Sequence, residues 1–117
     1  MTALRLISLP THAAIELAFG LSVMAAPFLL GFSAAGLIVT VLLGALIVGL
    51  AFSAIPVEGR ATRISAHFAY DRAVGVGLLG GALVLGIAGD VAATIFLAAA
   101  ALSQAFLNLT TRYSARH

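Results

Sequence analysis

The chain has 117 residues, of which 62% are hydrophobic and only 9% charged, with a formal net charge of +2 and no cysteine. A soluble domain carries about 25% charged residues, so a water-exposed globule is excluded for want of polar surface, and the missing thiol excludes disulfides, thiolate metal sites and cysteine nucleophiles. Lysine is absent too, which removes Schiff-base chemistry, and the six arginines are scattered over separate segments, so no nucleic-acid partner is expected.

Taken in order, residues 1–10 are expected to lie along a membrane interface, with Pro10 ending them and Thr11 capping the first helix. Charge-free runs then mark the spans: residues 17–57, 73–89 and 91–111 carry no ionised side chain. At 1.5 Å per residue the first run makes about 60 Å of helix against a hydrocarbon core of about 30 Å, so it holds two spans. Spans are predicted at about 12–31, 35–55, 67–87 and 91–111. Pro27 removes an intrahelical hydrogen bond and predicts a kink near Met24 to Pro27. Tight turns are expected over 31–36 and 86–90, a stop at Pro56, a hydrophilic loop over 57–65, and Ser65 as the cap of the third span. Arg5 ahead of an apolar run also has the look of a signal peptide. Glu16 interrupts that run and the segment recurs, so it is read as a retained span.

The recurrence is an internal repeat. A shift of 55 residues places His12 on His67, Ala14 on Ala69, Glu16 on Asp71, Ala18 on Ala73, Gly20 on Gly75, Leu30 on Leu85 and Gly31 on Gly86. Repeat one covers 11–56 and repeat two 66–112. The fold class that follows is an all-α integral membrane four-helix bundle, built from two repeated hairpins related by a pseudo-twofold axis along the membrane normal. Arg5, Arg60, Arg63, Arg72, Arg112 and Arg116 belong to the termini and the central loop, and the two tight turns contain none. The positive-inside rule then puts both termini and the 57–65 loop in the cytoplasm. Close helix packing is expected at small residues: Gly20, Gly75, Gly77 and Gly81 above all, with Ala73 and the pairs Ala45/Gly49 and Ala101/Ala105.

From Glu16 to Ser53 the order of an acid, Gly-Leu, Ala26-Pro27-Phe28, Leu30-Gly31-Phe32-Ser33 and Leu-Gly-Ala-Leu-Ile-Val-Gly resembles the SPW-repeat family of small bacterial membrane proteins. Ala-Pro-Phe stands where that family has Ser-Pro-Trp, the second copy has Ala82-Leu83-Val84, and the chain has no tryptophan. The resemblance implies four spans in a bacterial inner membrane and no particular reaction.

Candidate chemistry concentrates in the repeat. His12 and Glu16 are four apart and share a helix face, with Gly20 one turn on, and His67, Asp71 and Gly75 repeat that face. Ionisable groups in a span are functional candidates. Three readings stand side by side. The first is structural, with Glu16 paired to Arg72. In the second, His12, Glu16, His67 and Asp71 bind a divalent metal or haem. The third is a proton or ion relay. Asp90 is expected to cap the fourth span, Gln104 and Asn108 to hydrogen-bond across helices, Tyr70 and Tyr113 to sit in an interfacial belt, and His117 to be a terminal residue without a role. The leading functional expectation is a small non-enzymatic accessory subunit, held in the lipid bilayer by association with other subunits or with itself. The alternatives are a metal- or haem-dependent redox or sensing protein and a minimal oligomeric transporter.

Overall fold

The computed structural model describes residues 6–53 and 64–111. They form four helices, α1 (Leu9–Leu30), α2 (Ala34–Ser53), α3 (Ile64–Ile87) and α4 (Val91–Thr110). All four are long and apolar enough to cross a membrane. The expected stop at Pro56, the arginines of the loop, Tyr113, His117 and the stretch up to Arg5 lie outside the described residues.

The start of α1 differs from expectation. Ser8, not Thr11, is the N-cap: its hydroxyl oxygen accepts from the Thr11 amide at 3.4 Å, and its own hydrogen goes to Thr11 Oγ1 at 3.0 Å. Pro10 falls in the first turn, where its missing N–H costs nothing. The helix therefore runs through proline and threonine alike. Likewise α3 begins at Ile64, so Ser65 lies inside its first turn instead of preceding it. Pro27 stays within α1, and its carbonyl accepts from the amides of Gly31 and Phe32 as the helix closes.

The two turns are not equivalent, although the repeat pairs Gly31 with Gly86. Gly31 adopts the left-handed conformation (φ 68) and ends α1, but Gly86 remains helical and the positive φ falls at Gly89 (φ 89). Only a residue without Cβ takes that conformation at little cost. The second hairpin thus turns three residues later than the first.

One carboxylate fastens these turns together. Asp90 caps α4 as expected, with Oδ1 accepting from the Ala93 amide at 3.0 Å. Its Oδ2 accepts from the Ser33 amide at 2.8 Å and the Ser33 hydroxyl at 2.6 Å, while Ser33 Oγ accepts from the Gly36 amide at 3.0 Å at the start of α2. A Cβ on Gly36 would collide with Asp90 Oδ2. Hydrogen bonds from Ser33 and then from the Ala93 amide hold the Asp90 carboxyl below the usual aspartate range.

Packing is densest within the hairpins α1–α2 and α3–α4, then between α2 and α3. Val23, Ile47, Leu78, Leu85 and Leu97 are the large fully buried apolar side chains of the core, and Phe32 meets Phe96 with ring centroids 5.8 Å apart. The closest crossing is α1 on α2. A Cβ on Gly20 would stand 2.9 Å from the Val48 amide nitrogen, and one on Gly44 would stand 2.8 Å from the Met24 nitrogen and 2.9 Å from the Gly20 carbonyl oxygen. Gly44 was not singled out by its sequence spacing. A Cβ on Gly77 would stand 3.4 Å from Leu43 and one on Gly81 3.2 Å from it, whereas one on Gly75 or Gly49 would meet nothing within 4 Å among the described residues. The close α1–α2 crossing at Gly20 thus has no counterpart at Gly75 among the described residues.

Two outcomes follow. Gly44→Val should lower stability in detergent by about 1–3 kcal/mol, since backbone atoms cannot yield, while Gly49→Ala should stay within about 1 kcal/mol of the parent; equal unfolding midpoints for the two would contradict this crossing. Asp90→Ala should lower the thermal midpoint at neutral pH. Because the folded-state pKa is depressed, the Asp90 contribution is present above the unfolded value of about 3.9 and is lost as pH falls through the folded one. The difference between parent and variant should therefore vanish in acid.

Candidate metal centre

The residues buried deepest at the other end are polar. His12, Glu16, His67 and Asp71 have 0% exposure, as do Gln104 and Thr111, with Asn108 at 3%. Large apolar side chains such as Leu21, Leu46, Leu83 and Phe106 face outward instead. In water this distribution would expose apolar surface that nothing offsets; in lipid it leaves the outer faces in a matching medium.

Helical spacing builds the site. His12 and Glu16 lie one turn apart on α1, and His67 and Asp71 one turn apart on α3, so each helix brings one imidazole and one carboxylate to the same level. His12 Nε2 lies 2.9 Å from Asp71 Oδ2 and 3.4 Å from Glu16 Oε2. His67 Nε2 lies 3.4 Å from both Glu16 Oε1 and Asp71 Oδ2. The two rings are edge to face, with centroids 5.7 Å apart. The sequence-predicted quartet is thus brought together by side chains, across helices whose backbones scarcely meet.

The expected Glu16–Arg72 pair is not made. Asp71 and Arg72 are consecutive and so about 100° apart around α3; with Asp71 turned inward, Arg72 is exposed and its guanidinium carbon lies 4.6 Å from the centroid of the Phe68 ring. Glu16 is served by α4 instead. Gln104 Nε2 donates to Glu16 Oε2 at 3.1 Å and to Asn108 Oδ1 at 3.2 Å, and Asn108 Nδ2 donates to the Asp71 carbonyl at 3.3 Å. These are the interhelical amide bonds expected of Gln104 and Asn108. Thr111 is a further member that spacing alone did not single out: its Oγ1 lies 2.6 Å from His12 Nδ1.

What the quartet can do follows from its distances. Hydrogen bonds between nitrogen and oxygen run at about 2.7–3.2 Å, whereas three of the four imidazole–carboxylate contacts are at 3.4 Å. Neither His67 nitrogen nor Glu16 Oε1 makes a hydrogen bond, although all are buried. Around an ion with bonds of about 2.0–2.1 Å, tetrahedrally placed donors are about 3.4 Å apart. One ligand atom from each of the four residues can be chosen so that all lie within 4.8 Å of one another. Two neutral imidazoles and two carboxylates also balance a divalent charge and form a nitrogen and oxygen ligand set suited to a first-row transition metal. Haem fits less well, because the two imidazole centroids stand only 5.7 Å apart, too close for a macrocycle held between the rings.

Comparison with protein-family models, with curated proteins and with solved structures finds no match for this chain.

The charges depend on one another whatever else they hold. Removing one member of a buried pair costs about 3–5 kcal/mol, because the other stays buried without it. A double-mutant cycle of His12→Phe and Asp71→Leu in chelator-treated protein should show a coupling above about 1 kcal/mol, read from unfolding midpoints. Additive effects would mean that the two side chains do not sense each other.

Proposed function

We propose that this chain is a four-span integral membrane protein whose function is to hold one divalent transition-metal ion between His12, Glu16, His67 and Asp71. The observation that carries the reading is the set of 3.4 Å separations among fully buried imidazole and carboxylate atoms, including a His67 without hydrogen bonds. A network evolved only for ion pairing would be expected to close to hydrogen-bond distance.

Insertion in a bilayer is supported by four apolar helices and by the way exposed hydroxyls are satisfied. Ser22 donates to Ala18 O and Ser103 to Ala99 O, both at 2.9 Å within their own helices, so neither needs water. The distribution of arginines supports an orientation with both termini and the 57–65 loop in the cytoplasm, and the quartet near that face. The twofold relation of the hairpins and the likeness to SPW-repeat proteins belong to the same proposal, on the strength of the repeated His-x-Ala-x-acid pattern and the Leu-Gly-Phe-Ser turn. The role proposed for the chain is that of a metal-carrying accessory subunit of a membrane complex.

Metal analysis of protein purified in mild detergent tests this directly. About one equivalent of a first-row metal is expected in the parent, falling below about a tenth in His12→Ala/His67→Ala, with no haem absorption band in either. A parent protein that takes up no metal when offered zinc, manganese or iron(II) would end the metal reading and favour the proton relay.

A further inference from the structure

The hydroxyl of Thr111 has a single hydrogen, and its destination is fixed. Thr111 Oγ1 donates to the Leu107 carbonyl at 2.6 Å, an oxygen that can only accept. The 2.6 Å contact between the same Oγ1 and His12 Nδ1 must then run the other way, with Nδ1–H as donor. We infer that Thr111 is a positioning residue that holds His12 as the Nδ1–H form, so that Nε2 is the nitrogen offered to the metal and His12 is the preset ligand of the pair.

The backbone around Thr111 keeps it in place. Thr111 is extended (φ −92, ψ 140) just beyond α4, and the neighbouring Thr110 carbonyl accepts from the Ile7 amide at 2.9 Å. The segment ahead of α1 is thereby tied to the end of α4, one turn from His12. A metal-bound imidazole is commonly oriented by a hydrogen bond from its other nitrogen, and losing that bond weakens metal affinity about 10–100-fold.

Among the described residues His67 has no such anchor. Its Nδ1 is buried without a hydrogen bond, and the sequence gives the physical reason. The repeat offset of 55 residues that pairs the histidines sets Thr111 against Pro56, Gln104 against Gly49 and Asn108 against Ser53. By sequence, the counterparts of Gln104 and Thr111 in the other copy are apolar. His67 is consequently the ligand whose tautomer no such bond presets, and the two histidines, equivalent in the repeat, differ in function.

The inference rests on the metal reading only for its effect on affinity, since the position of the hydrogen is measurable without metal. Long-range ¹H–¹⁵N spectra of histidine-labelled protein in detergent, first metal-free and then titrated with zinc, provide the test. Expected are a hydrogen on His12 Nδ1 in both states, coordination through Nε2, about 10–100-fold weaker zinc binding in Thr111→Val, and recovery in Thr111→Ser. A bare or zinc-bound Nδ1 in the parent would overturn the assignment, and so would a Thr111→Val protein with unchanged zinc affinity. If the parent binds no zinc, the metal reading fails by itself. The metal-free spectrum still decides: a hydrogen-bonded Nδ1–H in the parent supports the positioning role, and its absence overturns it. The parent spectra suffice should Thr111→Val not fold.

Discussion

Four ionisable side chains sealed in an apolar interior must satisfy one another, and the rest of the structure is subordinate to that requirement. An isolated carboxylate taken from water to a medium of low dielectric loses several kcal/mol even after relaxation. His12, Glu16, His67 and Asp71 avoid that penalty only by meeting, and they meet because each pair is spaced one helical turn apart on its own helix. The amides of Gln104 and Asn108 on α4 and the hydroxyl of Thr111 just beyond it then occupy positions around the quartet. The hairpins are held at this level by electrostatics, not by backbone proximity.

At the opposite end the same economy is achieved with a single acid. Asp90 serves α4 through one oxygen and the start of α2, by way of Ser33, through the other. Between the two polar levels the helices rely on shape: Gly20 and Gly44 let α1 and α2 approach to backbone contact, and the remaining core is Leu, Ile, Val and Ala. The order of forces along the long axis is therefore polar, steric, polar.

Much of this was legible in the residues. Four helices followed from uninterrupted apolar runs, and the quartet followed from a His-x-x-x-acid spacing that occurs twice, because recurrence implies a shared face. What was not legible depended on distance or direction. Ser8 and Thr11 are both capping residues, and only the preference of proline for the first turn separates them. Spacing pointed to Gly49 on α2 and passed over Gly44; helices that are apolar all round give no periodic signal of which face meets a neighbour. The Arg72 assignment failed through direction, since residues 71 and 72 cannot both face inward. Thr111 lies 99 positions from His12, and only the register between copies, in which Pro56 replaces it, could have drawn attention to it.

Fastening at both levels also fixes a length. From Asp71 to Asp90 the chain climbs about 28 Å at the helical rise, close to the thickness of bilayer hydrocarbon. Neither hairpin can slide along the other without tearing one polar level from its counterpart, and a single inserted residue would rotate everything beyond it by about 100° and unseat one end. The molecule is thus a ruler of nearly constant height. Were the helices to cross a bilayer, a hydrocarbon layer thicker or thinner than that height would have to be met by tilting the whole molecule or deforming the lipid.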